Sequence, residues 1–312
     1  MRSGLPFGVM AAAATSASAP VIRALLLRGQ VMDVPNHRSS HTVAVVRGGG
    51  LACISGAALT SFALNSRMPA RAVTAVAGLA LVGLVDDTTG GTPAIPRLIG
   101  QCALGALAGS TYGWRVAGIG AVVMPVVVNV VNFMDGINGI TGLSCVVWGI
   151  SAANSTAGAD VSQLGALTAG LGAGFLPWNA PVPLMFLGDA GSYFLGSLMA
   201  CGVIHAARHL ELRAVLVTTA PLLPYLADGA QAIAHRYVRG ESLTEAHRDH
   251  VYQQLVDHRG VTHVQVAGFH AAAAGLCALG VRARRPWIAV IASLVPAVIY
   301  VISPKLIDSD PA

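Results

Sequence analysis

The chain has 312 residues, of which 54% are hydrophobic and only 11% charged, with a formal net charge of +5. Soluble domains carry about 25% charged residues, so this chain cannot cover a water-facing surface, and a bilayer is its natural solvent. The basic balance forms no Lys/Arg stripe with interleaved aromatics, which excludes a nucleic-acid partner, and the five cysteines lie in apolar runs without a CxxC pair, as small buried apolar residues do.

Apolar runs fall at about 4–27, 47–65, 70–85, 97–113, 116–131, 139–153, 161–177, 190–207, 212–231, 264–281 and 286–303. They are too long and continuous for the alternating strands of a membrane barrel. Backbone groups in lipid must be satisfied within the segment, which favours helices. Abundant Ala and Gly let such helices approach closely. The expected fold is an all-α integral membrane protein, a polytopic bundle of about ten or eleven transmembrane helices, in a single domain over 1–312. The first residues imitate a signal peptide, with Arg2 and Ser16-Ala17-Ser18-Ala19 before Pro20. The apolar pattern continues through Val21 to Leu27, so an uncleaved first span is expected. The long polar stretch 232–263 is expected to be a loop or a short interfacial helix.

Five polar clusters interrupt the apolar pattern. The first is Asp33-Val-Pro-Asn36-His-Arg38-Ser-Ser-His41 followed by Arg47-Gly48-Gly49-Gly50. Arg47 before three glycines suits a phosphate clamp, since the backbone can draw near; a positively flanked helix start is the plain alternative. The second is Asp86-Asp87 at the end of an apolar run. Adjacent carboxylates repel and are costly to desolvate, and a divalent cation shared with phosphate, Mg²⁺ above all, resolves the repulsion. A solvated loop start with a Thr-Thr-Gly-Gly turn explains the same residues.

The third cluster is Asn129-Val-Val-Asn132-Phe-Met-Asp135-Gly-Ile-Asn138-Gly-Ile-Thr-Gly142. Asn129 and Asn132 share a helical face, the glycines admit close backbone approach, and the N–H groups of the next helix favour an anion. The fourth is Phe186-Leu-Gly-Asp189-Ala-Gly-Ser192-Tyr-Phe-Leu-Gly196. Asp189 there is either a metal ligand or a helix N-cap. The fifth is Ala246-His247-Arg248-Asp249-His250-Val-Tyr-Gln253-Gln254-Leu255. His247 and His250 share a helical face about Arg248. No further Cys or His set completes a tetrahedral zinc site, so contact with a diphosphate fits better.

Loops separated by two spans emerge on one membrane face. By that parity all acidic residues except Asp160 and Glu211 gather on the face of the five clusters. A transporter would hold its acids near the bilayer midplane, whereas these cluster at span ends, as in an interfacial enzyme. Basic residues divide almost evenly between the faces, so the positive-inside rule gives no orientation.

The five clusters, in this order, resemble the polyprenyl-phosphate N-acetylhexosamine-1-phosphate transferases of glycosyltransferase family 4, which include the phospho-MurNAc-pentapeptide translocase and the enzymes that initiate O-antigen and teichoic acid synthesis. The resemblance runs from about Asp33 to Gln254. It implies a multi-pass cell-membrane enzyme with its active site on cytoplasmic loops, 232–263 among them. It implies Mg²⁺, with Mn²⁺ as an alternative, a UDP-sugar donor, a polyprenyl phosphate (undecaprenyl or decaprenyl) acceptor embedded among membrane lipids, and UMP as leaving product; a homodimer is compatible with it. By the same likeness Asp86, Asp87 and Asp189 are metal-side acids, with Asp86, Asp87, Asp135, His247, Arg248 and His250 catalytic. Arg47, Asn129, Asn132 and Asn138 are substrate-binding. Many members carry Asp where this chain has Asn138, whose amide can still hydrogen-bond a uracil edge. The late loop lacks the His run of the pentapeptide translocase, so an N-acetylhexosamine donor is expected rather than UDP-MurNAc-pentapeptide.

Overall fold

The computed structural model describes residues 4–35, 43–66, 68–155, 157–208, 211–241 and 249–308. In chain order these form α1 (Leu5–Arg28), β1 (Met32–Asp33), β2 (Val45–Arg47), α2 (Gly50–Ala63), α3 (Ala70–Thr89), α4 (Ala94–Gly109), α5 (Trp114–Met134), α6 (Ile140–Ala153), α7 (Ala159–Asn179), β3 (Met185–Phe186), α8 (Gly188–Ala207), α9 (Leu212–Thr219), α10 (Leu223–Arg239), α11 (Val251–Arg259), α12 (His263–Gly280) and α13 (Pro286–Asp308). Five of them, α1, α3, α5, α8 and α13, are long and apolar enough to cross a membrane, and α2 and α6 are shorter apolar helices. The chain is an all-α polytopic membrane protein, as its composition requires.

The elements depart from the apolar runs at instructive places. α3 does not stop with its apolar residues at Val85 but continues to Thr89, so Asp86 and Asp87 occupy its last turns instead of a loop. The run 212–231 is not one span. Pro221 and Pro224 mark its break into α9, a short 3-10 turn and α10, because proline lacks the amide that a continuing helix would use. α10 then carries on to Arg239, well past the apolar residues, and Asp228 lies inside it.

α8 is the axis of the molecule. Its apolar window is buried along its whole length, and α2, α3, α5 and α7 all pack against it. Small residues permit this. A methyl group added at Gly83 of α3 would collide with the Asp189 backbone carbonyl, and one at Gly50 of α2 would strike the Gly191 backbone. Lipid offers no hydrophobic drive between helices, so such close backbone contact does the work of association.

A feature outside the helical expectation is a three-stranded sheet, ordered β1-β2-β3. β1 pairs antiparallel with β2, and β2 runs parallel to β3 with Arg47 opposite Phe186. The strands are two or three residues long, too short to show as a period of two in the sequence. Their effect is large. They staple the stretch before α2 to the stretch before α8, and so bring the first and fourth clusters together.

Candidate active site

Four helix ends meet at one face of the bundle: the N-termini of α2 and α8 and the C-termini of α3 and α5. Arg47, Asp87, Asn132 and Asp189 converge there. The Arg47 guanidinium donates through Nε to Asp87 Oδ1 (2.8 Å) and through Nη2 to Asp189 Oδ2 (3.0 Å). Asn132 Nδ2 donates to Asp189 Oδ1 at 2.9 Å and to Ser192 Oγ at 2.9 Å. Both oxygens of Asp189 are therefore held from opposite sides. Burial by itself would lower the Arg47 pKa, but the carboxylates of Asp189, Asp87 and Asp33 outweigh it and raise it.

Asp87 has a second task. Its Oδ1 accepts the Asp189 amide (2.9 Å) and its Oδ2 the Ala190 amide (3.0 Å). These are free amides of the first turn of α8, so a carboxylate from α3 caps the central helix and faces its positive dipole end. Asp189, the residue whose sequence position suggested a cap, makes no such bond; the residue at the N-cap position, Leu187, has no side-chain acceptor either. Gly188, at φ 75°, makes the entry turn, and a side chain there would press on Asp87.

Asp86 turns elsewhere. Its Oδ1 accepts the Thr92 amide (2.8 Å), while Oδ2 accepts the Tyr193 hydroxyl (3.0 Å) and pairs with Arg97 at 3.5 Å. The adjacent acids expected to act as a pair thus divide between two sets of partners. Tyr193 and Arg97 were not among the expected site residues. Tyr193 lies inside the fourth cluster, but nothing in the sequence marked Arg97.

Asp135 follows the last residue of α5. Desolvation pushes its carboxyl up to about 7; the Thr141 hydroxyl and the Arg47 charge act against this, and Asp189 and Asp87 add to it. It therefore feels the same charges as the Arg47 centre and titrates near neutrality.

The remaining members of the third cluster have partners of their own. Asn129 donates to Gln101 Oε1 of α4 (2.6 Å) and to the Pro125 carbonyl (2.7 Å), an amide pair within the helix packing, while Asn132 one turn later reaches Asp189. Asn138 donates through Nδ2 to the Pro181 carbonyl (3.2 Å) and through its backbone N–H to His263 Nδ1 (3.4 Å). Asn179, which drew no attention in the sequence, accepts the Gly139 amide (2.6 Å) and donates to the Met185 carbonyl (3.1 Å), tying the turn to β3.

From the fifth cluster, His247 and Arg248 lie outside the described residues, as do 36–42 of the first. His250 is described and buried. Its Nδ1 is 2.8 Å from Asp228 Oδ1, and Asp228 Oδ2 accepts the Val251 amide (3.1 Å) at the start of α11. Tyr252 donates to the Phe133 carbonyl at 3.1 Å, with its hydroxyl packed over Gly136. α11 is thereby docked on the turn that carries Asn132 and Asp135.

Among the described residues no three His, Cys, Asp or Glu side chains form a ready metal cage. The donor set nevertheless suits one kind of ion. Asp189 and Asp87 are oxygen donors on a single cation, Arg47, and their side chains are 28% and 4% exposed. Mg²⁺ is commonly held by one or two carboxylates completed by substrate phosphates, and this pair can supply that share.

Comparison with known proteins agrees with the motif series. Residues 70–207 match the model of glycosyl transferase family 4, a stretch that includes Asp86, Asp87, Asn132, Asp135 and Asp189. The chain is 27% identical over 305 residues to a decaprenyl-phosphate N-acetylglucosaminephosphotransferase of Mycolicibacterium smegmatis, covering 80% of this chain and 74% of the relative. The protein of the same name from Mycobacterium leprae is 26% identical over 305 residues, with 80% and 76% covered. A probable undecaprenyl-phosphate N-acetylglucosaminyl 1-phosphate transferase of Bacillus subtilis is 23% identical over 262 residues, with 76% and 73% covered. The family that the five clusters resemble and the family that matches the central helices are the same one, glycosyl transferase family 4.

Proposed function

We propose that this membrane protein transfers N-acetylglucosamine-1-phosphate, or a closely related N-acetylhexosamine-1-phosphate, from a UDP-sugar to a polyprenyl phosphate and releases UMP. The observation that carries this is the convergence of Arg47, Asp87, Asn132 and Asp189 on the half-buried N-terminus of an otherwise buried membrane helix. Charged groups gathered at one end of an apolar bundle suit a reaction between a water-soluble diphosphate and a lipid phosphate at the membrane surface. The names of the relatives support N-acetylglucosamine as the sugar.

Phosphoryl transfer asks the protein for positioning and for neutralised charge more than for covalent help. An oxygen of the lipid phosphate attacks the phosphorus nearer the sugar, the bond to the UMP oxygen breaks, and UMP departs. Arg47 offers a planar fork of donors to phosphate oxygens. Asn132 fixes the Asp189 carboxylate. Asp189, with Asp87 beside it, would hold Mg²⁺ or Mn²⁺, whose contribution is to offset the charge of the diphosphate. A lipid phosphate titrates near pH 6, and the Asp135 carboxyl, pushed up to about 7, is matched to take its last proton. His250 is held by Asp228, and contact with the donor diphosphate is assigned to His247, Arg248 and His250 on their side-chain chemistry. The site faces the cytoplasm, where UDP-sugars are made.

The test is direct. Purified protein is given a panel of UDP-sugars and polyprenyl phosphate, UMP release is followed, and the lipid product is weighed by mass spectrometry. The expected product is the polyprenyl diphosphate N-acetylhexosamine. Absence of UMP from every donor, with folded protein and divalent cation present, would refute the proposal.

A further inference from the structure

We infer that Arg47 is an internal counter-cation that competes with the divalent ion for Asp189, so that the ion is admitted together with the nucleotide diphosphate and not ahead of it. The inference rests on the transferase reading above and adds an order of binding to it.

Three observations lead there. First, one guanidinium contacts both carboxylates through different nitrogens, Nε on Asp87 (2.8 Å) and Nη2 on Asp189 (3.0 Å). Second, the two acids are not equally free. Asp87 is fixed from behind by two amides of α8 and is 4% exposed, whereas Asp189 is 28% exposed. Asp189 is therefore the acid able to exchange its cation. Third, Arg47 cannot leave with its charge. Its amide donates to the Val31 carbonyl (3.1 Å), and its strand lies between β1 and β3. A guanidinium freed from Asp189 stays beside Asp87.

The charges then decide the order. A divalent ion arriving alone must take Asp189 from Arg47 and then sits near a tethered guanidinium, a like-charge contact in a partly desolvated setting. A diphosphate arriving with the ion brings negative charge between the two cations and gives Arg47 new oxygen partners in place of Asp189. Ion and nucleotide are therefore coupled, each tightening the other.

The prediction runs against the usual expectation for a phosphate-binding arginine: removing Arg47 should strengthen binding of the ion by itself. The probe is Mn²⁺, titrated into the full-length protein in detergent and followed by the electron paramagnetic resonance signal of the free ion, with and without UDP. UDP should tighten Mn²⁺ binding to the native protein on the order of 10-fold. In Arg47→Gln, Mn²⁺ alone should bind about 10-fold tighter than to the native protein, and the effect of UDP should largely vanish. Arg47→Lys keeps the charge and should keep the dependence on UDP, which also covers the case that Arg47→Gln does not fold. Asp189→Asn should abolish the bound fraction and so locate the ion. If Mn²⁺ alone binds Arg47→Gln no better than native protein, while UDP still tightens the native site, the role given to Arg47 is wrong and the transferase reading stands. The role is equally wrong if Arg47→Lys loses the UDP dependence. If Mn²⁺ binds no variant even with UDP, the metal-assisted reading fails and this inference with it.

Discussion

Consecutive helical residues point about 100° apart, and Asp86 and Asp87 take different partners for that reason. Asp87 and Asp189 share Arg47, while Asp86 serves Thr92, Tyr193 and Arg97. Replacement of each acid should therefore differ in kind. Asp189→Asn retains size and the Asn132 contact but loses the charge that faces the substrate. Turnover should fall by on the order of 100-fold or more with melting temperature nearly unchanged. Near-native turnover at saturating Mg²⁺ would remove Asp189 from the reaction. Asp135 gives a dependence on pH. Its folded pKa lies above the unfolded value of 3.8, at about 7, so the folded state binds this proton more tightly. The stability it contributes is fully present at low pH and is lost as pH rises through about 7. Thermal unfolding followed between about pH 5 and pH 8 should show that decline, and Asp135→Asn should flatten it. The same substitution should remove the rise in kcat/KM through pH 7 that a proton acceptor at this position gives.

At the scale of elements, the cap that Asp87 provides for α8 is a tertiary one, supplied across the bundle by α3. Asp87→Ala should cost about 1–2 kcal/mol of stability through the lost cap, with Arg47 still paired to Asp189. Asp86→Ala should act mainly on the α3–α4 turn. Paired thermal melts in detergent separate the two, and equal losses with equal kinetics would contradict the division of labour. The close packing of α3 on α8 makes a second prediction. Gly83→Val places bulk against the Asp189 carbonyl and should reduce folded yield and activity together; folded, active Gly83→Val would show that α8 can shift. The apolar runs made the helical bundle legible, because the existence and order of apolar helices follow from hydropathy, while their ends, as at Thr89 of α3 and Arg239 of α10, do not. The three-stranded sheet was not legible, since strands such as Met32–Asp33 leave no periodic trace. The Asp87 cap escaped notice because it joins residues 102 positions apart, and Asp189 stood at the position where a local cap was expected. Asn179 and Arg97 were missed for a similar reason: single polar residues at the ends of apolar helices look alike until their partners are placed.

At the scale of the molecule, the ends of α3, α5 and α10 and the starts of α2 and α8 define one face. The loop between α2 and α3 defines the opposite one. A single cysteine at Glu241, after α10, should react with an impermeant thiol reagent only from the cytoplasmic side, and one at Ser66 only from outside. The native cysteines are buried apart from Cys102, which is partly exposed and would be replaced in the background. Labelling of the Glu241 variant in intact cells would reverse the orientation and remove the access of the site to UDP-sugars.

The burial of α8 along its whole length also bears on how the enzyme meets its solvent. Lipids of different thickness press on the outer helices of a bundle by tilting or stretching them. α8 is buried over its apolar window, with Asp189 on its first turn and Arg47 on the short strands beside it, whereas Asp87 and Asn132 arrive on α3 and α5, which are only partly buried. Asp189 is thereby mechanically insulated from the bilayer, like a bearing mounted on the shaft instead of the housing, and growth conditions that remodel the membrane reach the centre through the α3 and α5 ends that bring Asp87 and Asn132 to it.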